Sequence, residues 1–136
     1  MEGFNLQLFL LNLIHNINDF FIISYVFIFK TNQYDLYFSI YLFAIVLHWL
    51  LLKNECILSY LEKKIIDKNY VLGSKPFEHP YSEIIPFPLL IITRIIKIYN
   101  IIVVILRNTK NYFITISLLI VLLYVIYNYL QKYKII

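Results

Sequence analysis

The chain contains four apolar stretches, each close to the roughly 20 residues that a helix needs to cross a bilayer. They cover about residues 4–29, 36–55, 87–106 and 112–130. Hydrophobic residues make up 61% of the chain and charged residues 15%, whereas soluble domains are about 45–50% apolar and about 25% charged. This excess predicts an integral membrane protein of the all-α class.

Short polar connections pair the stretches into hairpins. Residues 30–35 and 107–111 are long enough only to reverse the chain, so each predicts an antiparallel pair of transmembrane helices. We expect the second helix to continue beyond the bilayer to about Ile66. A polar loop, 62–86, contains several prolines and joins the two hairpins. The sequence therefore predicts a single transmembrane domain, residues 1–136, built as a four-helix bundle.

The third stretch is less clear than the others, because it contains two cations, Arg94 and Lys97. Its first part could lie flat as an interfacial amphipathic helix. The apolar part that begins at Ile98 is too short to cross a bilayer alone. We therefore predict a full span with cations inside it.

Basic residues indicate which way the bundle faces. We call the side of the termini and the central loop the loop side, and the side of the two short connections the turn side. Six basic residues lie on the loop side, namely Lys63, Lys64, Lys68, Lys75, Lys132 and Lys134. Three lie on the turn side, namely Lys30, Arg107 and Lys110. Cytoplasmic segments carry the excess of lysine and arginine. We expect both termini and the central loop to be cytoplasmic.

Five ionisable residues fall at membrane depth and form two layers. Counted along the helices from the turn side, His15, His48 and Arg94 lie at roughly 20 Å, and Asp19 and Lys97 at roughly 15 Å. Ionisable groups at such depth are costly and usually face the interior of a bundle. We expect Asp19 to pair with Lys97, and His15 to lie near His48 or Arg94.

Each layer allows a structural and a functional interpretation. Two histidines at one depth are compatible with a haem or metal site between helices, but Arg94 disfavours a bare metal ion. We favour neutral imidazoles that form hydrogen bonds and lock the helices together. Asp19 and Lys97 form either a pair that fixes helix register or part of a proton or ion path, and we favour the pair.

The end of the second helix brings further polar residues to the predicted interface, namely Glu55, Cys56 and Glu62. The single cysteine excludes an internal disulfide. It is either a small buried residue, which we favour, or a site of palmitoylation. His79, beside Glu78 in the loop, is a weak metal or catalytic signal. No known catalytic motif occurs in the chain, so the sequence gives no positive support for an enzyme.

One segment carries a resemblance to known proteins. Residues 48–76 read HWLLLKNECILSYLEKKIIDKNYVLGSKP, with an NEC–x–x–S–Y–x–E–K–K run followed by N–Y–x–L–G–S. This segment resembles a group of small, uncharacterised multi-pass membrane proteins of large double-stranded DNA viruses. Its histidine helix and following cysteine are also similar to a bacterial family of small four-span proteins of unknown function. Neither resemblance implies an activity.

The sequence thus favours a non-enzymatic multi-pass membrane protein with a structural or accessory role. The expected partners are the lipid bilayer and either further copies of the chain or other membrane proteins, without a cofactor. Nucleic acid is not expected, because the net charge of +4 comes from basic residues in loops and at helix ends. The alternatives are a small proton- or ion-conducting bundle or, with His15 and His48 as ligands, a haem or metal protein.

Overall fold

The computed structural model describes residues 5–76 and 87–132, and these residues form an all-α bundle without β-strands. The predicted fold class is therefore confirmed. The helices of the described residues are α1 (Leu6–Ile28), α2 (Asp35–Leu51), α3 (Ile57–Ile66), α4 (Phe87–Arg107) and α5 (Tyr112–Lys132), with a 3-10 turn at Asn32–Tyr34 before α2. Residues 77–86 of the predicted loop, including Glu78 and His79, lie outside the described residues.

Among the described residues, four helices are long and apolar enough to cross a membrane, namely α1, α2, α4 and α5. Their outer faces carry large apolar side chains at high exposure, such as Phe20, Leu51, Leu106 and Leu123. In water this much apolar surface would be unfavourable, whereas lipid tails solvate it. By length and composition the helices fit a multi-pass membrane protein.

The two predicted hairpins are present and pack against each other. Side chains of α1 and α2 meet in antiparallel order, since Tyr25 contacts Asp35 while Asn18 contacts Tyr41. Between the hairpins, α1 packs on α4 and α2 packs on α5. The chain has one alanine and two glycines, so close backbone approach through small residues is not available. Large rings fill the space instead, with Tyr25 stacked on Phe38 at a centroid distance of 3.7 Å.

The tightly packed core occupies the part of the bundle nearer the turn side. In the described part of the chain, its buried apolar residues come from the four long helices: Ile22, Tyr25, Phe38, Leu42, Val46, Ile101, Val104, Ile114, Leu118 and Val121. These residues leave the loop-side half of the bundle to polar side chains. The apolar core therefore separates the turn side from the polar residues described below.

Asp35 closes the turn side of the bundle. Its carboxylate is fully buried and accepts hydrogen bonds from the Tyr25 hydroxyl at 2.9 Å and from Arg107 Nε at 2.6 Å. Arg107 Nη2 and the Asn108 amide also donate to it. The Arg107 guanidinium in addition donates to the backbone carbonyl of Phe29 at 2.8 Å. This cluster, the Asp35 cluster, joins the two hairpins where both chains reverse.

The second helix ends earlier than the sequence predicts. It stops at Leu51, and Lys53 and Asn54 adopt left-handed backbone conformations with φ of 54° and 64°. The chain then begins α3, which packs against α1. The predicted span to residue 55 and the predicted continuation to Ile66 are therefore wrong. The polar loop also begins later than predicted, because residues 62–66 belong to α3.

Hydrogen bonds to distant residues stabilise this break between α2 and α3, which we call the joint. The backbone N–H of Ile57 donates to His48 Nε2 at 2.9 Å, so the imidazole takes one of the unpaired donors at the start of α3. The Tyr124 hydroxyl on α5 donates to Asn54 Oδ1 at 2.6 Å. The joint thus depends on tertiary contacts, which local sequence does not reveal.

Candidate functional site: a polar cavity in the loop-side half

A cavity of about 210 Å³ lies in the loop-side half of the bundle. All five helices contribute to its wall, together with the joint and Pro76. Its polar and charged lining residues are Asn12, His15, Asn16, Asp19, Asn54, Glu62, Thr93, Arg94, Lys97, Asn128, Tyr129 and Lys132, and Trp49, Cys56 and Leu90 complete the wall. Its volume corresponds to that of roughly seven water molecules at about 30 Å³ each.

Asp19 and Lys97 meet at the inner end of the cavity, as the sequence predicts. Lys97 Nζ donates to Asp19 Oδ1 at 2.6 Å, which is the length of a strong charge-assisted hydrogen bond. The Asp19 side chain is 44% exposed to the open space around it and that of Lys97 is 21% exposed. The pair therefore links α1 to α4 and also presents charge to the cavity.

The two predicted histidines have separate roles. His15 lines the cavity, whereas His48 does not, and Nε2 of His48 already accepts the Ile57 N–H. The structure therefore does not bring the two imidazoles together as a pair of ligands. No group of three His, Cys, Asp or Glu side chains suited to a metal ion occurs in residues 5–76 and 87–132. Of the two neighbours predicted for His15, Arg94 lines the same cavity and His48 does not.

Glu62 lies in the cavity wall and not at the interface where the sequence places it. The residue is only 1% exposed, and its Oε1 is 3.7 Å from His15 Nδ1. That distance is too long for a hydrogen bond, and the contact is ionic only when the imidazole is protonated. Neither carboxylate oxygen accepts a hydrogen bond from the described residues. The α3 helix carries Glu62 here because it packs against α1.

Glu55 is also buried, contrary to its predicted interfacial position. Its carboxylate is fully enclosed and accepts hydrogen bonds from Lys63 Nζ at 2.6 Å, the Tyr70 hydroxyl at 2.7 Å and the Gly73 N–H at 2.8 Å. Lys63 Nζ also donates to the backbone carbonyl of Lys75 at 2.6 Å. Glu55 therefore holds the described part of the loop, 67–76, onto α3.

Gly73 is required at its position in this loop. Its φ is +78°, a conformation that glycine adopts without strain. A Cβ at this position would lie 2.7 Å from Cβ of Lys53, which itself belongs to the joint. The loop and the joint are therefore in direct contact. Cys56, the free cysteine, is the last residue of the joint before α3, has intermediate exposure and lines the cavity.

Cations dominate the loop-side end of the cavity. The Arg94 guanidinium lies 5.0 Å from the centre of the Tyr129 ring, within the range of a cation–π interaction. Lys132 lines the same cavity at the end of α5 and forms no ion pair within the part of the chain that the structure describes. Asn128, one turn earlier on α5, has a buried Oδ1 that accepts no hydrogen bond from residues 5–76 or 87–132.

The cavity ends inside the bundle and does not continue to the turn side. Beyond Asp19 and Lys97, the Asn100 side chain bridges α4 to α1, where it donates to the Ile23 carbonyl and accepts the Val26 N–H, both at 2.9 Å. The apolar core and the Asp35 cluster follow. Chemically, the site can bind a polar group that enters from one side.

Sequence reasoning missed several residues of this region. Asp35 and Arg107 stand at helix ends next to short polar turns, so they read as exposed boundary residues. Lys132 and Asn128 stand at the polar end of the last helix, where interfacial positions are expected. Counted from the turn side, Asn128 lies within about one helical turn of the depth of Arg94, because α5 runs antiparallel to α4, whereas Lys132 lies about two turns further out. No family model, curated protein or solved structure matches the chain.

Proposed function

We propose that this chain is a non-enzymatic, accessory membrane protein that binds the polar group of a ligand in its loop-side cavity. The observation that carries the proposal is the cavity itself, which combines buried acceptors and several cations and ends at the Asp19–Lys97 pair. Buried polar groups without partners are rare in native proteins, and a missing ligand or water is a usual reason.

The packing beyond the cavity favours binding over conduction. A proton or ion path needs a continuous series of polar groups or waters across the bilayer. Here Ile101, Val104, Leu118 and Val121 are almost completely buried between the cavity and the turn side. A structural role would need only the Asp19–Lys97 pair and the Asp35 cluster. It gives no reason for the buried Glu62 carboxylate, which accepts no hydrogen bond from the described residues.

Orientation determines the compartment from which a ligand enters. The excess of basic residues on the loop side supports a cytoplasmic position for the termini and central loop. In that orientation the cavity opens towards the cytoplasm. The resemblance of residues 48–76 to viral membrane proteins carries no activity and does not change this proposal.

Cys56 provides a direct test, because it is the single cysteine of the chain and lies in the cavity wall. A small, charged, membrane-impermeant thiol reagent is added to sealed vesicles from the outside or from the inside. We expect alkylation of Cys56 from the loop side alone, with Cys56→Ser as the unlabelled control. Equal labelling from both sides, or none from either side, would contradict a cavity with a single opening.

Conduction is the second candidate, favoured by the placement of His15, Asp19 and Lys97 along one cavity. Purified protein in liposomes with a pH-sensitive dye measures proton flux directly. The binding proposal expects flux no greater than in empty liposomes, both for the wild type and for Asp19→Asn. Flux in the wild type that disappears in Asp19→Asn would establish conduction and overturn our preference.

A further inference from the structure

The buried acceptors of the cavity determine what a ligand must donate. Glu62 is 1% exposed and lines the cavity, and neither of its carboxylate oxygens accepts a hydrogen bond from residues 5–76 or 87–132. Oδ1 of Asn128, in the same wall, is a further buried acceptor without a donor among these residues. An unsatisfied buried acceptor is unfavourable, and a charged one most of all. A ligand that fits must therefore donate several hydrogen bonds, two of them to one carboxylate.

The charges of the described wall do not call for a cationic ligand. Its carboxylates are Asp19 and Glu62, and its cations are Arg94, Lys97 and Lys132. Asp19 and Lys97 form an ion pair with each other. Lys132 then matches Glu62 in number of charges, and this balance holds whichever partner Arg94 has. The wall therefore has no excess of negative charge, and an added cation would lack a counter-charge.

His15 contributes to this balance, because it lies beside Glu62. Its Nδ1 is 3.7 Å from Glu62 Oε1, which is too long for a hydrogen bond. A protonated imidazole places a cation next to Glu62, so a second cation there is unfavourable, and a neutral imidazole adds no charge. In either state the carboxylate oxygens still need donors. An anion cannot supply them, because it is repelled by Glu62 and carries acceptors at its charged end.

Hydroxyl groups supply donors without charge. Each hydroxyl donates one hydrogen bond and accepts up to two, so it can lie between a carboxylate and an ammonium group. The cavity wall also has an apolar part, which includes Trp49 and Leu90. A ring that carries several hydroxyls has apolar C–H faces as well as polar edges, and binding sites commonly combine an apolar wall with a few polar groups. An amide or urea group has donors but no such face.

We infer that the cavity binds a neutral ring polyol, with neighbouring hydroxyls donating to the two oxygens of Glu62 and a further hydroxyl donating to Asn128 Oδ1. This chemistry is shared by hexoses and inositols. The inference rests on the proposed binding function and names its ligand class. The cavity volume of about 210 Å³ has room for one such ring. Free sugars and the sugar headgroups of glycolipids are the two sources of this chemistry, and the experiment separates them.

Trp49 makes binding measurable without a label, because it is the only tryptophan and it lines the cavity. The protein, purified in a detergent without sugar groups, is titrated with myo-inositol and with glucose, galactose and mannose. Each hexose is compared with its amino sugar and its uronic acid, which add a positive or a negative charge to the same ring. We expect at least one neutral hexose to bind roughly 10-fold or more tightly than both of its charged forms, because an added charge finds no partner in the cavity.

The lipid arm uses nanodiscs of phosphatidylcholine that contain either a monohexosyl diacylglycerol or the same diacylglycerol without its sugar. A Trp49 response to the glycolipid alone of these two assigns the ligand to the membrane. A response confined to the free sugars assigns it to the aqueous phase. Either result, or both together, supports a ring polyol as the ligand.

Glu62→Gln tests the residue itself, because it keeps the size of the side chain and removes the charge. We expect a loss of roughly 10-fold or more in affinity for the neutral sugar, as the loss of hydrogen bonds to a charged group predicts. Asp67→Asn is the matched control, since it makes the same change at an exposed position just after α3. Its affinity should equal that of the wild type.

Tighter binding of an amino sugar or a uronic acid than of the neutral hexoses would overturn this inference. The absence of a Trp49 response in both arms, or an equal response to diacylglycerol with and without its sugar, would overturn it as well. The proposed function fails separately, by the Cys56 labelling pattern, so the two failures are distinguishable. Should Glu62→Gln not fold, the comparison of neutral and charged sugars on the wild type decides the question alone.

Discussion

Replacing Asp35 by asparagine should destabilise the bundle more than any other single charge removal at the turn side. The fully buried carboxylate accepts four hydrogen bonds, one from Tyr25, two from Arg107 and one from Asn108. The amide keeps the size and one acceptor but turns an N–H donor towards these donors. Arg107 then loses its counter-charge where it cannot easily be hydrated.

The expected magnitude follows from the burial of this pair. Removing one partner of a buried ion pair costs about 3–5 kcal/mol, chiefly because the other charge is left uncompensated. The replacement amide still accepts one bond, so we expect the lower end, about 3 kcal/mol. Because the cluster joins the hairpins, the loss should appear in global unfolding and not in local fraying.

Reversible unfolding in mixed micelles titrated with sodium dodecyl sulfate measures this free energy, with far-UV circular dichroism as the readout. Asp67→Asn is the control and should change the free energy of unfolding by no more than about 0.5 kcal/mol, as exposed substitutions usually do. Combining Asp35→Asn with Arg107→Gln should cost less than the sum of the single changes, by about 0.5–3 kcal/mol. A loss below about 1 kcal/mol for Asp35→Asn, or strict additivity in the double variant, would show that the Asp35–Arg107 pair does not stabilise the bundle as described.

Three further predictions concern the joint, the loop and the cavity. Glu55→Gln should leave Lys63 without its counter-charge, and hydrogen exchange should rise in residues 67–76 while the long helices stay protected. Gly73→Ala should lower the unfolding free energy by about 1–3 kcal/mol, because the left-handed conformation and the contact with Lys53 both oppose a Cβ. An unchanged thermal transition for this variant would contradict the described loop. Asp19→Asn should leave liposome proton flux at the background level, and a change of flux in either direction would count against a closed cavity.

Much of the bundle was predictable because it depends on the apolar length of each helix and on the length of each connection, which can be read from the sequence. Apolar length identifies the four long helices, and short polar connections make antiparallel neighbours. Counting residues from the turns at a fixed rise per residue places Asp19 opposite Lys97. The structure has this pair at 2.6 Å. The depth of a residue in the membrane thus follows from its position along its own helix. The direction in which its side chain points depends on how the helices pack together.

The joint was not predictable, because its cause is tertiary. The segment from Leu51 to Ile57 has no glycine or proline. Asparagine enters the left-handed region readily, but lysine rarely does, so two successive left-handed residues at Lys53 and Asn54 need support from elsewhere. That support includes the His48 imidazole, which accepts the Ile57 N–H, and the Tyr124 hydroxyl on α5, which donates to Asn54 Oδ1. A continuous helix carries Glu55 and Glu62 out to the interface, and the break instead returns them to the bundle. Both errors in their predicted positions follow from this one break.

Polar space extends inward from the loop side of the bundle and stops before the apolar core. Two cysteine variants in a Cys56→Ser background test this arrangement. Asn128→Cys places the thiol on the cavity wall, and Leu118→Cys places it in the fully buried core about three helical turns nearer the turn side. The rate of reaction with a small, charged, water-soluble thiol reagent is measured in sealed vesicles of known orientation. We expect Asn128→Cys to react from the loop side alone and Leu118→Cys to be unreactive from either side. A reactive Leu118→Cys, or an Asn128→Cys that reacts from the turn side, would contradict it.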